Sequence, residues 1–280
     1  MGAALGAALI DGGHHLTVWN RSASRAEPLL ARGAAWAEDP AIAVGGSDLV
    51  IVCLLDVATT YDVLGDASVR DHLRGRTILQ VSTGSPEDAG RLAAWTADSG
   101  AELLVAFVKA YPREIGSEQT EVHVAGSAEA FERYRATFTC WGRTHFAGPD
   151  VTAATARNTA GILMMLSLVS SFIEGAAYAR AHGVAAAEVE ELLPVSARLA
   201  GAAVRRAVAV SGGQHPRTAE ATVDVYAHAM RGVVEAIAGT GLRSSVGEAC
   251  LGLLSDAVSA GLGGADLDAL LDDPETPAPS

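Results

Sequence analysis

Aromatic residues are scarce, at 5% of 280. Ala and Gly dominate instead, which favours closely packed helices over a β-rich fold. Positive charge is short too: 20 Lys and Arg stand against 33 Asp and Glu, a formal net charge of −13. Neutralising nucleic-acid phosphates needs clustered Lys and Arg, so a nucleic-acid partner is not expected. The same deficit argues against docking on anionic membranes, although a small anionic ligand can still find a local basic site. The three cysteines, Cys53, Cys140 and Cys250, are far apart, odd in number and free of any C-x-x-C spacing. That excludes a disulfide framework and fits a reducing, cytoplasmic compartment. Histidines are scattered, and His14-His15 has no companion at metal-ligand spacing, so no metal is expected. No apolar run reads as a membrane span, since residues 162–173 are apolar but short. The opening MGAALGAALI has no basic residue before it and reads as a buried helix, not a signal segment.

What is present is alternation. Residues 2–11 read as a small-residue helix closed by Gly12-Gly13, and 15–19 (HLTVW) as a strand. Helical pattern follows over 23–32, and Asp39-Pro40 opens another short helix. Residues 48–55 (DLVIVCLL) and 77–82 (TILQVS) are continuous apolar runs of the kind buried on both faces of a parallel sheet. Pro86-Glu87-Asp88 opens a helix with acidic residues in its first turn, as the helix dipole favours. Residues 103–108 and 121–125 are further strand candidates. Strands alternating with helices predict a doubly wound α/β domain over 1–148. Beyond Gly148-Pro149-Asp150 no strand signal survives. A long apolar helix over 151–182 is followed by helices at about 186–209, 218–239, 244–261 and 265–272. The second domain is therefore all-helical, over 149–272, and residues 273–280, with three prolines, predict a disordered tail.

The first half carries a dinucleotide-binding signal with its start missing. Such a Rossmann unit needs a strand, then G-x-G-x-x-G, then a helix whose N-terminus faces a pyrophosphate. This chain opens on the helix itself, so Gly2 is read as the third glycine, and the first strand is expected to be absent. A start assigned too late and a true truncation both account for it. After the second strand an NAD site would place a carboxylate on the ribose hydroxyls. Here stand Asn20, Arg21 and Ser22, with Arg25 a turn later. Arginine attracts a 2′-phosphate and binds it bidentately, so NADP(H) is favoured over NAD. Solvated helix-start arginines are the plainer alternative.

WNRS at 19–22, VSTGSPEDAGRLAAW at 81–95, AYPREIGS at 110–117 and VAGSAEAFERY at 124–134 resemble the imine reductases. These are NADPH-dependent relatives of the β-hydroxyacid and 6-phosphogluconate dehydrogenases. EATVDVYAHAM at 220–230 is similar to their helical domain. The resemblance implies a long interdomain helix and a homodimer that exchanges helical domains, each active site being built from both chains. It implies a cofactor lying along Gly2 and Asn20-Arg21-Ser22, past Leu54, Leu55 and Asp56, to Thr83 and Gly84 near the nicotinamide. It also implies a small-molecule imine or carbonyl substrate.

Hydride transfer needs a substrate carbon near the nicotinamide and a group that handles a proton. The hydroxyacid-dehydrogenase relatives use a lysine in a K-x-x-N pattern. Here Ala154 and Thr155 precede Asn158 and the helix has no lysine, which disfavours alcohol oxidation. Imine reductases carry Asp, Tyr or Asn at the position of Asn158, often with Tyr eight residues later, where this chain has Leu166. Asn158 can orient an iminium or a water but cannot supply a full proton. Lys109 stands in a strand where an apolar residue is usual. Buried against the nicotinamide it would be a proton donor, and facing solvent only an edge charge. Asp224 is the other acid candidate, and Tyr111, Tyr226, His228 and Met230 are pocket candidates. Asp224 and His228 are spaced i, i+4 and share a helix face. The expected activity is reduction of a cyclic C=N bond. A β-hydroxyacid dehydrogenase and an inactive truncated homologue are the alternatives.

Overall fold

The computed structural model describes residues 1–82, 84–211 and 221–271. The expected tail at 273–280 and the first residues of the helix expected over 218–239 lie outside them. The chain divides into two compact units, Met1–Ile162 and Leu163–Ser280.

In the first unit, α1 (Gly2–Asp11) leads to the short parallel pair β1 (Thr17–Val18) and β2 (Ala35–Trp36), joined through α2 (Glu27–Leu30). A second sheet follows, in the order β3 (Leu49–Val52), β4 (Thr77–Gln80), β5 (Glu102–Lys109), β6 (Glu121–Gly126), β7 (Arg143–Gly148). Between these strands run α3 (Pro40–Gly45), α4 (Val57–Leu64), α5 (Ala67–Arg70), α6 (Pro86–Asp98) and α7 (Ala128–Thr139). The sheet is mixed rather than wholly parallel, because β5 and β6 run antiparallel. Their connection, residues 110–120, holds only the helical turn Pro112–Glu114. A parallel crossover needs a dozen or more residues and usually a helix, as α7 provides between the parallel strands β6 and β7. The pair β1–β2 is not continuous with the five-stranded sheet.

Apolar runs form these strands because both sheet faces are covered. Ile78, Leu103, Val105 and Ala125 join one core with Val57, Leu64, Leu92, Val151 and Ala154. Leu79, Leu104, Ala106, Val122 and Val124 point the other way, onto Leu5, Leu9, Phe131, Phe138 and Trp141. Trp141 is fully buried, and its indole N–H donates to the carbonyl of Leu5 at 3.1 Å, which anchors α1 to that face.

The second unit is helical. The helix α8 (Val151–Ala181) begins in the first unit and continues into the second, followed by α9 (Ala186–Glu190), α10 (Leu193–Ser211), α11 (Val223–Ala238) and α12 (Ser245–Ala257). The single helix expected over 186–209 is two, because Pro194 lacks an N–H and fits only a first helical turn. The helix expected over 244–261 ends at Ala257, and a wider turn, Val258–Leu262, carries Gly261 at φ 89°. Val223, Ala227, Leu254 and Ala257 form a small core. Elsewhere Leu163, Met164, Met165, Leu168, Ile173, Leu199 and Val208 are all exposed.

α8 alone among the described helices is long and apolar enough to cross a membrane, more than the short apolar run in the sequence suggested. The sixteen residues between Arg157 and Glu174 carry no charge.

Candidate active site

In open α/β sheets ligands collect beyond the carboxyl ends of the strands. In the five-stranded sheet those ends carry the turns after the parallel strands β3, β4 and β5, and the turn after β1 follows the separate β1–β2 pair.

After β1, the Asn20 amide donates to the Ser22 carbonyl at 2.9 Å and closes the loop on itself. Arg21, Ser22 and Arg25 are exposed, and neither arginine has an ion-pair partner among the described residues. No carboxylate occupies the loop. It is an exposed cationic corner, which fits a 2′-phosphate and equally the plainer alternative of solvated arginines.

After β3, Leu55 is 87% exposed and offers an apolar platform. Asp56 beside it works as the N-cap of α4: one carboxylate oxygen accepts from the Thr59 hydroxyl and backbone N–H, each at 2.7 Å. These bonds, the hydroxyl first, hold Asp56 below the ordinary carboxylate range. Its side chain is thus engaged in fixing the turn.

Ser82 ties the β3 and β4 turns together. Its hydroxyl accepts from Leu54 N–H at 3.0 Å and donates to Leu54 C=O at 2.7 Å. Thr83 lies outside the described residues. A Cβ on Gly84 would come within 2.7 Å of a Val57 methyl, so close approach of α4 requires glycine there. Gly2 is different. A Cβ there would make ordinary contact with Cys53 Sγ at 3.6 Å, so its packing does not demand glycine. The crowded glycine of α1 is Gly6, where a Cβ would meet Leu29 at 2.8 Å.

After β5, Lys109 is exposed, so the burial that its proton-donor reading requires is absent from this unit. Tyr111 is 63% exposed, with the Arg113 guanidinium 5.2 Å from its ring centre. Asn158 is half-buried on α8. It continues the stripe of Val151, Ala154 and Thr155 at helical spacing, and its amide has no hydrogen-bond partner among the described residues.

The remaining candidates belong to the helical unit. Leu166 is 53% exposed on α8. Asp224 opens α11 with its carboxylate against the backbone of Gly263, and Tyr226 and His228 are exposed beside it. No ion pair joins Asp224 to His228 among the described residues, despite their spacing. Met230 packs against the small core and lines a cavity of about 230 Å³ with Glu174, Val233 and Cys250.

Sequence reading missed the Ser82 latch and a polar row on β5, β6 and β7. In that row Glu121 bonds His145 at 2.8 Å, pairs with Arg143, and lies 3.8 Å from His123. The signal was alternation: Glu121 and His123, and Arg143 and His145, are two-residue spacings that put each pair on one strand face.

Residues 1–155 match the NAD-binding domain of 6-phosphogluconate dehydrogenase, and residues 150–274 match the C-terminal domain of NADPH-dependent reductive aminase-like proteins. An NADPH-dependent reductive aminase of Aspergillus oryzae is 30% identical over 196 residues, covering 70% of this chain and 66% of that protein. Among solved structures, an imine reductase of Myxococcus stipitatus in complex with NADP+ superposes with a TM-score of 0.89 at 28% identity, covering 97% of this chain and 96% of that one. A reductive aminase of Aspergillus terreus with NADPH and ethyl levulinate gives 0.87 at 29% identity, covering 97% and 95%. Joining a 6-phosphogluconate dehydrogenase-type NAD-binding domain to a reductive aminase-like helical domain, the chain belongs to the imine reductase family.

Proposed function

We propose that the chain is an NADPH-dependent oxidoreductase that reduces C=N bonds of imines or iminium ions. The observation that carries this reading is the carboxylate-free loop over residues 20–25, whose two exposed arginines, Arg21 and Arg25, have no ion-pair partner among the described residues and suit a 2′-phosphate. Features of the β3 and β4 turns fit the coenzyme too: the apolar platform of Leu55, the Leu54–Ser82 turn and the close approach at Gly84. Bound there, NADPH supplies the hydride.

The chain's own groups bind and orient. The Asn158 amide has no hydrogen-bond partner among the described residues, so its donor and acceptor can hold an iminium nitrogen or a water that delivers a proton. Asp224 of the helical unit is the acidic candidate for a transferable proton, with Tyr111, Leu166, Tyr226, His228 and Met230 shaping the pocket. Ala154 and Thr155 stand where a hydroxyacid dehydrogenase would need its lysine, which sets alcohol oxidation aside.

The functional unit in this reading is a domain-exchanged, cytoplasmic homodimer. The exposed apolar side chains of α8 and α10 support it, because an apolar surface of that extent marks an interface. Light scattering should give twice the chain mass.

Calorimetry with NADPH and NADH, followed by NADPH-consumption assays on a cyclic imine and hydroxyacid-oxidation assays with NADP+, tests the function. NADPH binding with imine turnover is expected. No heat with NADPH, or turnover confined to hydroxyacids, overturns it.

A further inference from the structure

The strands β5, β6 and β7 assemble a cationic face in a chain that is otherwise strongly anionic. Lys109, Glu121 and Arg143 are direct cross-strand partners, and Phe107, His123 and His145 form the next row on the same face. Arg157, from the opening turns of α8, stands beside them and donates to Ala147 C=O at 3.4 Å. Three permanent cations therefore face one carboxylate, within a chain of formal net charge −13.

That carboxylate is already engaged. Glu121 pairs with Arg143 and bonds His145 Nε2 at 2.8 Å, with His123 Nε2 at 3.8 Å. Lys109, the chain's only lysine, meets no acceptor among the described residues. Among the described residues Arg157 has only one long bond, to a carbonyl. An ammonium with three donors and most of a five-donor guanidinium are left without an anion. The neighbouring imidazole feels the surplus: burial first, then the charge of Lys109 and that of His145, push the titration of His123 down against the pull of Glu121, and Arg157 adds to the push.

The face also stands in a useful place. Val105 pairs with Gln80, the last residue of β4. Lys109 is four residues further along β5, so the strand overhangs the β4 turn by about 13 Å at roughly 3.3 Å per residue. The cations thus project past the carboxyl edge of the sheet, above the half-buried ring of Phe107. A planar guanidinium beside a point-charge ammonium suits a carboxylate, and the phenyl ring suits the hydrocarbon that carries it.

We propose that the Lys109–Arg157 face binds a carboxylate on the substrate, so that the preferred substrates are imines bearing an acid group. This rests on the reductase reading above.

Two cyclic imines differing only in one ring substituent, carboxylate or primary amide, test it with the whole chain and NADPH. The acid should exceed the amide in kcat/KM by at least about tenfold, the worth of one charge-assisted hydrogen bond, mainly through KM. That ratio should fall towards one in Lys109→Met. Equal kcat/KM for the pair, or a ratio untouched by the substitution, overturns the proposal and leaves the reductase reading standing. Should neither compound be reduced, the reductase reading has failed, and a binding readout decides this proposal separately. Amine-selective acylation read by peptide mass spectrometry reports on Lys109 and the terminal amine alone. A non-reducible acid analogue should slow Lys109 labelling by about fivefold, as a direct ion pair would, and its amide should not. Labelling indifferent to the acid overturns the proposal. So does protection by NADP+ alone, which would assign the face to a coenzyme phosphate.

Discussion

Ser82 grips Leu54 by both ends of its backbone, accepting from its N–H at 3.0 Å and donating to its C=O at 2.7 Å. A hydroxyl can do both at once, and no apolar residue of similar size can do either. The turn after β3 is thereby fixed to the turn after β4, and the next residue, Leu55, is exposed. Ser82→Ala should cost about 1–2 kcal/mol of stability in a urea titration, from two part-buried hydrogen bonds. It should also weaken NADPH binding several-fold, because a loosened turn must be ordered on binding. Unchanged affinity in calorimetry would leave the latch a purely structural feature.

Arg21 has no anionic neighbour among the described residues, so its charge is available to a ligand. Arg21→Ala should lower the ratio of NADPH to NADH affinity by about tenfold or more, the worth of one charge-assisted contact. Raising salt should erode the preference of the parent chain more than that of the variant. A preference that survives the substitution intact would move the 2′-phosphate contact to Ser22 and Arg25.

Much of the first unit was legible because its strands are buried on both faces. The runs around Val50, Ile78 and Leu104 had to be apolar, and their termini mark the edge at which sheets of this kind collect ligands. The strands β2 and β7 were not legible. Ala35–Trp36 has two residues, and Arg143–Gly148 is half charged or polar because one of its faces carries the Glu121 cluster. The cationic, carboxylate-free loop was readable because its chemistry is local to residues 20–25. Gly84 was marked as a small residue for a nicotinamide, yet the structure shows a packing demand from Val57, contributed by a helix far along the chain. The Ser82–Leu54 bonds span 28 residues and leave no periodic trace in the sequence.

Glu174 staples the helical unit. Its carboxylate accepts from Ser244 Oγ at 2.9 Å and from Val246 N–H at 3.1 Å, at the start of α12. Burial alone would raise its pKa, but the combined bonds from Val246, Ser244 and their neighbours outweigh it and hold the group below the ordinary carboxylate value. A depressed carboxylate contributes stability above its unfolded pKa, and that contribution is lost as pH falls through the folded value. Glu174→Gln should cost about 1 kcal/mol at pH 7, as loss of a charged cap does, and progressively less below about pH 4. Denaturant midpoints at pH 7 and pH 3.5 check both halves. A deficit independent of pH would show that the charge is immaterial.

His123 runs in the opposite sense. It is half-buried on β6, its ring 5.2 Å from that of His145, with Lys109, Glu121, Arg143 and Arg157 around it. Burial leads the effects that lower its pKa, and Lys109 and His145 follow. In the unfolded chain the imidazole returns to about 6.5, so near pH 6 the unfolded state binds more protons than the folded one. Stability therefore drops as pH falls from that value through the lower folded pKa, then levels once both states are protonated. His123→Gln keeps a polar side chain and removes the titration. The variant should lose less stability than the parent between pH 7.5 and pH 5, because it no longer carries the imidazole that protonates more readily in the unfolded chain. Urea midpoints at half-unit steps would reveal it. Parallel curves would mean that the cations around His123 are too well solvated to matter, and would weaken the case that they await an anion.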